Sequence, residues 1–336
     1  MKRKIKIRGE FHWDFKDFFV TNILSKKHKL IRVEKNPDIT IGLVEPTPLT
    51  SEFRKSPKKL LVSGENLYYK INLFKLLEYF TKKTGIKLDV LNKIIPRRVL
   101  NISLGLMRRQ YYNYVKSLSK KKSINEYAII CNDIKGSNIL NLPFFFQVNK
   151  IVDSFDRLKN KSRTDLSKRK KFCCIIFGNG SAFDRISFFE QLSKYKKVDC
   201  FSGTKYANAK SELLSNFWED NSEFYSQYKF VICFENSFKR EYITEKLPNV
   251  MLDGPIPIYR GAQNVNEYFD TKSFINYDDY GKSYAKMIEK IIELDQDDVK
   301  YKEFVSRPWM NKKNILKMDK KQKELKMFLD KMIDKD

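Results

Sequence analysis

Short apolar runs separated by longer polar or amphipathic stretches recur along the whole chain. Such runs are typical of buried strands, and apolar residues at helical spacing between them predict helices. In the first half, the pattern predicts a helix at Asp14–Ser25 and strands at Ile5–Ile7, Asp38–Leu43, Lys59–Val62, Tyr127–Cys131 and Pro143–Phe146. Strands that alternate with helices favour a parallel sheet, so this half is predicted to be a Rossmann-like domain.

The second half repeats this alternation after the polar stretch Lys159–Lys171, which we interpret as a linker. The predicted strands are Phe172–Phe177, Lys197–Phe201, Phe230–Phe234, Pro255–Tyr259 and Phe274–Tyr277, and the predicted helices include Ala182–Lys194 and Tyr284–Leu294. The chain is therefore expected to contain an α/β domain at residues 1–158, a second at 171–310 and a basic helical tail at 311–336.

Residues 228–262 carry the most informative pattern. The strand Phe230–Phe234 ends in the polar run Glu235–Ser237, and apolar residues recur at helical spacing from Thr244, a plausible N-cap, to the stop at Gly254. In open α/β sheets, ligands bind beyond the carboxyl ends of strands. A helix N-terminus with Lys246 beside it suits a diphosphate, and Glu245 can accept from ribose hydroxyls. The alternative is a capped surface helix with a scattered Glu–Lys pair.

Two further patterns bear on phosphate and metal binding. Arg185 follows the glycines of Gly178–Gly180 early in a predicted helix, where its guanidinium could grip phosphate oxygens. The alternative for Arg185 is an exposed helical arginine. The sequence Asp295–Asp297 spells D-x-D, but it follows a helix rather than a strand, so we do not expect it to bind a metal.

Composition limits the possible partners. The 336 residues carry 66 Lys and Arg against 41 Asp and Glu, a formal net charge of +25, which indicates an anionic partner or surroundings. Nucleic acid, an acidic membrane face and a nucleotide diphosphate all qualify, but no recognition helix, zinc spacing or RNP-type motif supports nucleic acid. The five cysteines have no C-x-x-C spacing, and we see neither an apolar leader nor a run of ~18 apolar residues. A cytoplasmic protein is expected.

Three linked motifs within residues 228–262 resemble the donor-binding signature of glycosyltransferase family 10, the α-1,3/4-fucosyltransferases. They read C-F-E-N-S, Y-I-T-E-K-L and P-I-P-I-Y-x-G, and the resemblance extends over roughly residues 11–74 and 127–280. Two positions depart from it: Glu241 stands where the family usually has Gly, and Arg260 where it usually has Trp. The resemblance implies the GT-B fold, with two Rossmann-like domains facing each other across a cleft.

The resemblance also implies an activity and residue roles. It implies an inverting α-1,3-fucosyltransferase that uses GDP-fucose, needs no obligatory cofactor and acts on an oligosaccharide or lipid-linked acceptor containing GlcNAc or glucose. Glu65, in a Gly-Glu-Asn run after a predicted strand, would be the general base. The donor would be bound by residues at positions that match the family: Arg185, Asn236, Tyr242, Glu245 and Lys246. The same fold with another nucleotide sugar is the alternative.

Two basic segments lie outside this resemblance. Residues 75–124 carry 13 Lys and Arg against two acids, with an apolar helical stripe at Leu100, Leu104, Met107, Tyr111, Tyr114 and Leu118. The tail 311–336 has nine Lys against five acids and a stripe at Leu325, Phe328, Leu329, Met332 and Ile333. Each is expected either to contact an anionic surface, reversibly holding the protein at the inner membrane, or to pack on the core.

Overall fold

The chain forms two compact units, each built on its own sheet. The computed structural model describes residues 3–10, 18–43, 51–63, 111–120, 125–131, 133–161, 166–177, 183–210 and 222–334. One unit comprises residues 1–149 with 321–336, and the other comprises residues 150–320. The division therefore falls before position 158, where we predicted the first domain to end, and the tail is divided between the two units.

The first unit contains a six-stranded, all-parallel sheet in the order β2-β1-β3-β4-β5-β6. Its strands are β1 (Lys4–Glu10), β2 (Lys29–Arg32), β3 (Ile39–Leu43), β4 (Lys58–Ser63), β5 (Glu126–Ile130) and β6 (Ile139–Asn141). Its described helices are Phe19–Ser25, Ser51–Lys55, residues 111–120 and a short 3-10 helix at Phe144–Gln147. The strands β3, β4 and β5 are largely apolar, as expected where both faces of a parallel sheet are covered. In β1, buried Ile5 and Ile7 alternate with exposed lysines.

In this unit, one predicted strand is wrong and one observed strand was not predicted. The predicted strand Pro143–Phe146 is wrong, since this segment turns into the 3-10 helix and the strand β6 lies just before it. Proline has no N–H to give to a ladder, and the Pro143 carbonyl instead accepts from the Phe146 N–H at 3.1 Å. The edge strand β2 was not predicted, because it is only half-buried and has just two apolar residues.

The second unit contains a five-stranded, all-parallel sheet in the order β11-β10-β9-β7-β8. Its strands are β7 (Lys171–Phe177), β8 (Val198–Ser202), β9 (Tyr228–Ile232), β10 (Ile256–Tyr259) and β11 (Ile275–Asn276). The described helices from residue 149 onward are Asn149–Asp153, Phe155–Lys159, Phe183–Ser193, Ser222–Ser226, Lys246–Asp253, Tyr284–Gln296, Asp298–Val305 and Lys312–Asp334, with 3-10 turns at Val265–Glu267, Thr271–Ser273 and Tyr277–Tyr280. The expected α/β class with two parallel sheets is confirmed.

The strand order of this second sheet reverses between β7 and β9. From β7 the chain moves to β8 on one side, then returns to β9 on the other side of β7 and continues outward to β10 and β11. At such a switch point the connections leave the sheet in opposite directions and open a crevice beyond the carboxyl ends of the two strands. Side chains that follow β7 and β9 are therefore the ones placed to meet a ligand.

The apolar stripes of the two basic segments pack on the first unit, as far as the structure describes them. The tail stripe from Leu325 to Ile333 is buried, and the Phe328 ring meets the Tyr127 ring edge-on at 5.7 Å. In residues 111–120, Tyr111 and Leu118 are buried in a core cluster. The stripe positions Leu100, Leu104 and Met107 lie outside the described residues. The described stripe residues are thus core contacts, so any contact with a membrane would have to use other faces of these helices.

All five cysteines are buried thiols without a disulfide. Within the described ranges, no helix is both long and apolar enough to span a bilayer.

Candidate active site

A buried glutamate lies just beyond the carboxyl end of β9. Glu235 is 3 % exposed, and its own N–H donates to the Arg260 carbonyl at 2.9 Å, which continues the pairing of β9 with β10. Its carboxylate accepts from the Thr244 N–H at 2.7 Å and from the Thr244 hydroxyl at 2.7 Å. An ionised group in such a place is tolerated only when its oxygens receive hydrogen bonds, and here one residue supplies two of them.

The third donor to this carboxylate is Lys246. Its Nζ lies 3.3 Å from Glu235 Oε2 and 3.1 Å from the Thr244 hydroxyl oxygen, while its side chain stays 25 % exposed. The ammonium group therefore contacts the buried carboxylate, while part of the Lys246 side chain is accessible to solvent. Lys246 is also the first residue of the helix Lys246–Asp253, whose first-turn N–H groups have no acceptor within the helix.

The helix start differs by one residue from the prediction. We expected Thr244 to cap the helix, but Glu245 occupies the N-cap position and makes no side-chain capping hydrogen bond. The Thr244 hydroxyl donates to Glu235 and also accepts from the Lys246 N–H at 3.4 Å, so it serves both the buried carboxylate and the first N–H of the helix. The predicted stop is confirmed, since Gly254 adopts a left-handed φ of +87° and its N–H donates to the Val250 carbonyl at 3.0 Å.

The protonation of Glu235 depends on its surroundings. Burial raises the pKa of Glu235 above its ordinary value, while the charge of Lys246 and the hydrogen bonds from Thr244 act in the opposite direction. Each of these donors favours the ionised form. Lys246 thus compensates the buried charge of Glu235 and also places a positive charge at the switch point.

Arg185 reaches the same strand end from the helix that follows β7. One terminal nitrogen of its guanidinium donates to the Phe234 carbonyl at 2.8 Å and to Asn236 Oδ1 at 2.7 Å. The guanidinium also lies over the Phe177 ring, 5.6 Å from its centroid. Arg185 is 3 % exposed, so the alternative of an exposed helical arginine is wrong. Two predicted donor-site residues, Arg185 and Asn236, are therefore in direct contact.

The two other predicted donor-site residues of this segment, Tyr242 and Glu245, are buried. Tyr242 is among the largest fully buried side chains. The Oε1 atom of Glu245 lies 4.0 Å from the Lys246 ammonium, whereas its Oε2 atom is buried and has no hydrogen-bond donor among the described residues. A buried carboxylate oxygen without a donor is costly unless a ligand hydroxyl supplies one.

Arg260, which stands where the resemblance leads us to expect Trp, lies between aromatic rings. The Arg260 guanidinium lies 4.1 Å from the ring centroid of Phe238 and 4.6 Å from that of Tyr277. It forms an ion pair with Asp184 at 2.9 Å and donates to the Tyr284 hydroxyl. The cation thus fills a place between aromatic rings and links the loop after β9 to the start of the helix that carries Arg185.

Several predicted features lie elsewhere or outside the described residues. Glu65 and the glycines Gly178 and Gly180 fall outside the described ranges. Asp295 of the D-x-D sequence accepts from Lys196 at 3.0 Å and from Lys229 at 3.2 Å. Burial alone would raise the pKa of Asp295, but these lysines outweigh it and lower that pKa. Asp297 caps the next helix, and the described part of the chain contains no cluster of metal-ligating side chains.

Sequence reasoning missed the organising role of Glu235. We interpreted it only as the polar end of a strand, although it accepts from both Thr244 and Lys246. The available signal was a carboxylate placed directly after five apolar residues, where a buried rather than a solvated group is expected.

Comparison with known proteins places this site in a family. Residues 166–332 match the family model described as "Glycosyltransferase family 10 (fucosyltransferase) C-term". An alpha-(1,3)-fucosyltransferase of Helicobacter pylori is 27% identical over 286 residues, which are 83% of this chain and 53% of that protein. A GDP-fucose protein O-fucosyltransferase 3 of Xenopus laevis is 31% identical over 129 residues, 36% of this chain and 27% of that protein.

The fold agrees with a solved structure. A crystal structure titled as an alpha1,3-fucosyltransferase with GDP-fucose superimposes with a TM-score of 0.61 at 18% identity, covering 98% of this chain and 91% of that one. The fold is thus of the GT-B class. Residues 166–332 form a domain of glycosyltransferase family 10, the fucosyltransferases. The chain spans only about a quarter to a half of the length of these two curated relatives.

We predict that Gly261→Ala destabilises the second unit, because Gly261 packs directly on Glu235. A Cβ at this position would lie 2.6 Å from Glu235 Cγ and closer still to the Tyr259 hydroxyl, well inside contact distance. Overpacking of this kind costs about 1–3 kcal/mol. The check is urea denaturation, with Gly203→Ala as the matched control, because a Cβ there meets no atom of the described residues within 4 Å. Equal stabilities of the two variants would contradict the packing described here.

Proposed function

We propose that the protein is an inverting α-1,3-fucosyltransferase that transfers fucose from GDP-fucose to a glycan acceptor containing GlcNAc or glucose. The observation that carries the proposal is the convergence of Arg185 and Lys246 on the strand end after β9, next to the switch point. Two cations and a helix N-terminus beside such a crevice suit a nucleotide diphosphate. The family match and the relatives that carry fucosyltransferase names support fucose as the transferred sugar.

Each donor-site residue has a part in this proposal. Lys246 and the first N–H groups of its helix would hold one phosphate, and Arg185 would hold the other. Glu245 would accept from a ribose hydroxyl through the oxygen that lacks a donor. Asn236 would keep Arg185 oriented through the 2.7 Å hydrogen bond between them, and Tyr242 would pack beside the nucleotide or the sugar.

The proposed reaction is a single displacement. The acceptor hydroxyl oxygen attacks the anomeric carbon of fucose from the side opposite to GDP, and the bond from that carbon to the diphosphate oxygen breaks. Glu65 takes the proton from the acceptor hydroxyl as general base. Positive charge on Arg185 and Lys246 stabilises the departing diphosphate, so the proposal includes no metal or other cofactor.

The alternative is the same reaction with a different nucleotide sugar. The test is a transfer screen with GDP-fucose, GDP-mannose and UDP-sugars against a glycan panel that includes lipid-linked acceptors, with the linkage determined by NMR. We expect transfer from GDP-fucose only, with inversion at the anomeric carbon. Transfer from another donor, with none from GDP-fucose, would contradict the proposal.

We predict that Arg185→Ala and Lys246→Ala each weaken GDP binding by about 10- to 150-fold. Each substitution removes a charge-assisted contact to phosphate, worth about 1.5–3 kcal/mol. The measurement is isothermal titration calorimetry with GDP. Lys302→Ala is the matched control, because it removes an exposed lysine of the same unit outside the site. GDP affinities unchanged in both site variants would place the diphosphate elsewhere.

Glu65→Gln is predicted to lower the turnover number by ~10²-fold or more while GDP affinity stays at the wild-type value. The amide keeps the size of the side chain but cannot accept the proton. Steady-state kinetics combined with GDP calorimetry separates these effects. A turnover number within a factor of three of the wild type would show that Glu65 is not the base.

We also propose a peripheral contact with an anionic membrane at the cytoplasmic face, through the outer face of the last helix. Lys312, Lys313, Lys320, Lys323 and Lys326 are exposed, and none of them forms an ion pair within the described part of the chain. On the same face, Leu316 is 61 % exposed and Met327 is 70 % exposed. Unpaired lysines around exposed apolar side chains suit an acidic lipid surface.

For this face, we predict salt-sensitive co-sedimentation with vesicles that contain anionic lipid. Each lysine near such a surface contributes about 1 kcal/mol, screened within a Debye length of ~8 Å. The triple variant Lys320→Glu, Lys323→Glu and Lys326→Glu should lose binding. A control triple at the exposed Lys282, Lys286 and Lys302 should keep it. Binding that charge reversal on the helix leaves unchanged would contradict this role.

A further inference from the structure

The loop that leads into the donor-site segment contains a buried glutamate in a left-handed backbone conformation. Glu241 has a φ of +66° and is 6 % exposed. The other non-glycine residues with positive φ in the described ranges are Asn36 and Lys282, and both are exposed. A residue with a Cβ disfavours this conformation, so it persists where surrounding contacts hold it in place.

Those contacts come from the turn that follows β10. The Glu241 N–H donates to Asn264 Oδ1 at 2.9 Å, and Asn264 Nδ2 donates back to Glu241 Oε1 at 3.1 Å. The Tyr268 hydroxyl donates to Glu241 Oε2 at 2.7 Å. Asn264 and Tyr268 are themselves buried. Both carboxylate oxygens and the backbone N–H of Glu241 are therefore bound to one turn.

The preceding residue is tied to the same turn. Arg240 donates to Glu267 Oε1, and the Lys317 ammonium lies 2.8 Å from Glu267 Oε2. Burial alone would raise the pKa of Glu267, but the hydrogen bonds and charges of Lys317 and Arg240 outweigh burial and lower that pKa. The loop is thus held at two consecutive residues by a turn that the last helix contacts through Lys317.

We propose that Glu241 is a positioning residue for the donor site, an inference that rests on the proposed function. Tyr242 follows it directly, and Thr244 three residues later is held by Glu235. The backbone direction that Glu241 imposes determines where Tyr242 and the start of the next helix lie. The segment from Glu241 to Thr244 is then fixed at both ends. Glu245 and Lys246 are therefore already in place to bind the nucleoside diphosphate, and the loop loses little conformational freedom on binding.

Four variants separate the carboxylate from the backbone. Glu241→Ala removes every side-chain hydrogen bond, Glu241→Gln keeps the size and part of the hydrogen bonding, and Tyr268→Phe removes one hydrogen bond without touching the loop. Glu241→Gly relieves the left-handed strain but loses the carboxylate. The matched control is Lys282→Gly, which makes the same backbone change at an exposed position with a φ of +59°.

The measurements are GDP affinity by calorimetry, the KM for GDP-fucose against kcat, and hydrogen exchange of the amides of residues 242–246. We expect Glu241→Ala and Glu241→Gly to weaken GDP binding and raise KM by about tenfold or more, as for misplaced binding groups. Glu241→Gln and Tyr268→Phe should show smaller losses, all four variants should show faster exchange at 242–246, and Lys282→Gly should match the wild type.

The outcomes are distinguishable. A lower melting temperature with unchanged GDP affinity, KM and exchange would make Glu241 a purely structural residue and overturn the proposal. Wild-type affinity and exchange in Glu241→Gly would also overturn it, because the carboxylate would then be dispensable. A wild-type protein that binds no GDP would contradict the proposed function instead, and the exchange measurement would still decide whether Glu241 holds the loop.

Discussion

The site depends on one buried carboxylate that must not lose its hydrogen-bond donors. Glu235 lies at the end of a central strand with almost no exposed surface, where an ion without partners would be strongly destabilising. Its donors are the backbone and hydroxyl of Thr244 and the ammonium of Lys246. Satisfying this one charge therefore fixes the start of the next helix and the position of its lysine.

The topology of the second sheet decides what this constraint is used for. Because the strand order reverses between β7 and β9, the helix after β7 and the loop after β9 both begin at the same crevice. Arg185 comes from one side and Lys246 from the other, and each is anchored by atoms that follow β9. Within the loop after β9, Glu241 is hydrogen-bonded to the turn after β10. Binding groups from distant parts of the sequence are thus positioned by strand ends.

Much of this architecture could be predicted from local pattern, since buried strands such as β7 and β9 are apolar runs and Gly254 marks a helix end. The predictions that failed concern features set by tertiary packing, which a local sequence pattern does not contain. The edge strand β2 has too little buried surface to stand out, and Pro143 turns a run of phenylalanines into a 3-10 helix. The tail stripe is equally suited to lipid and to core, and only tertiary packing shows that it is core. Glu235 resembled a solvated strand end because its donors lie nine and eleven residues later.

The most direct test of this account is the GDP affinity of Glu235→Gln, alone and combined with Lys246→Ala, measured by calorimetry. If the buried carboxylate acts by holding Lys246 and Thr244, Glu235→Gln weakens GDP binding about as much as Lys246→Ala does. The double variant is then little weaker than either single one, because both substitutions remove the same arrangement. Wild-type affinity in Glu235→Gln, or losses that simply add in the double variant, would contradict the central role of Glu235.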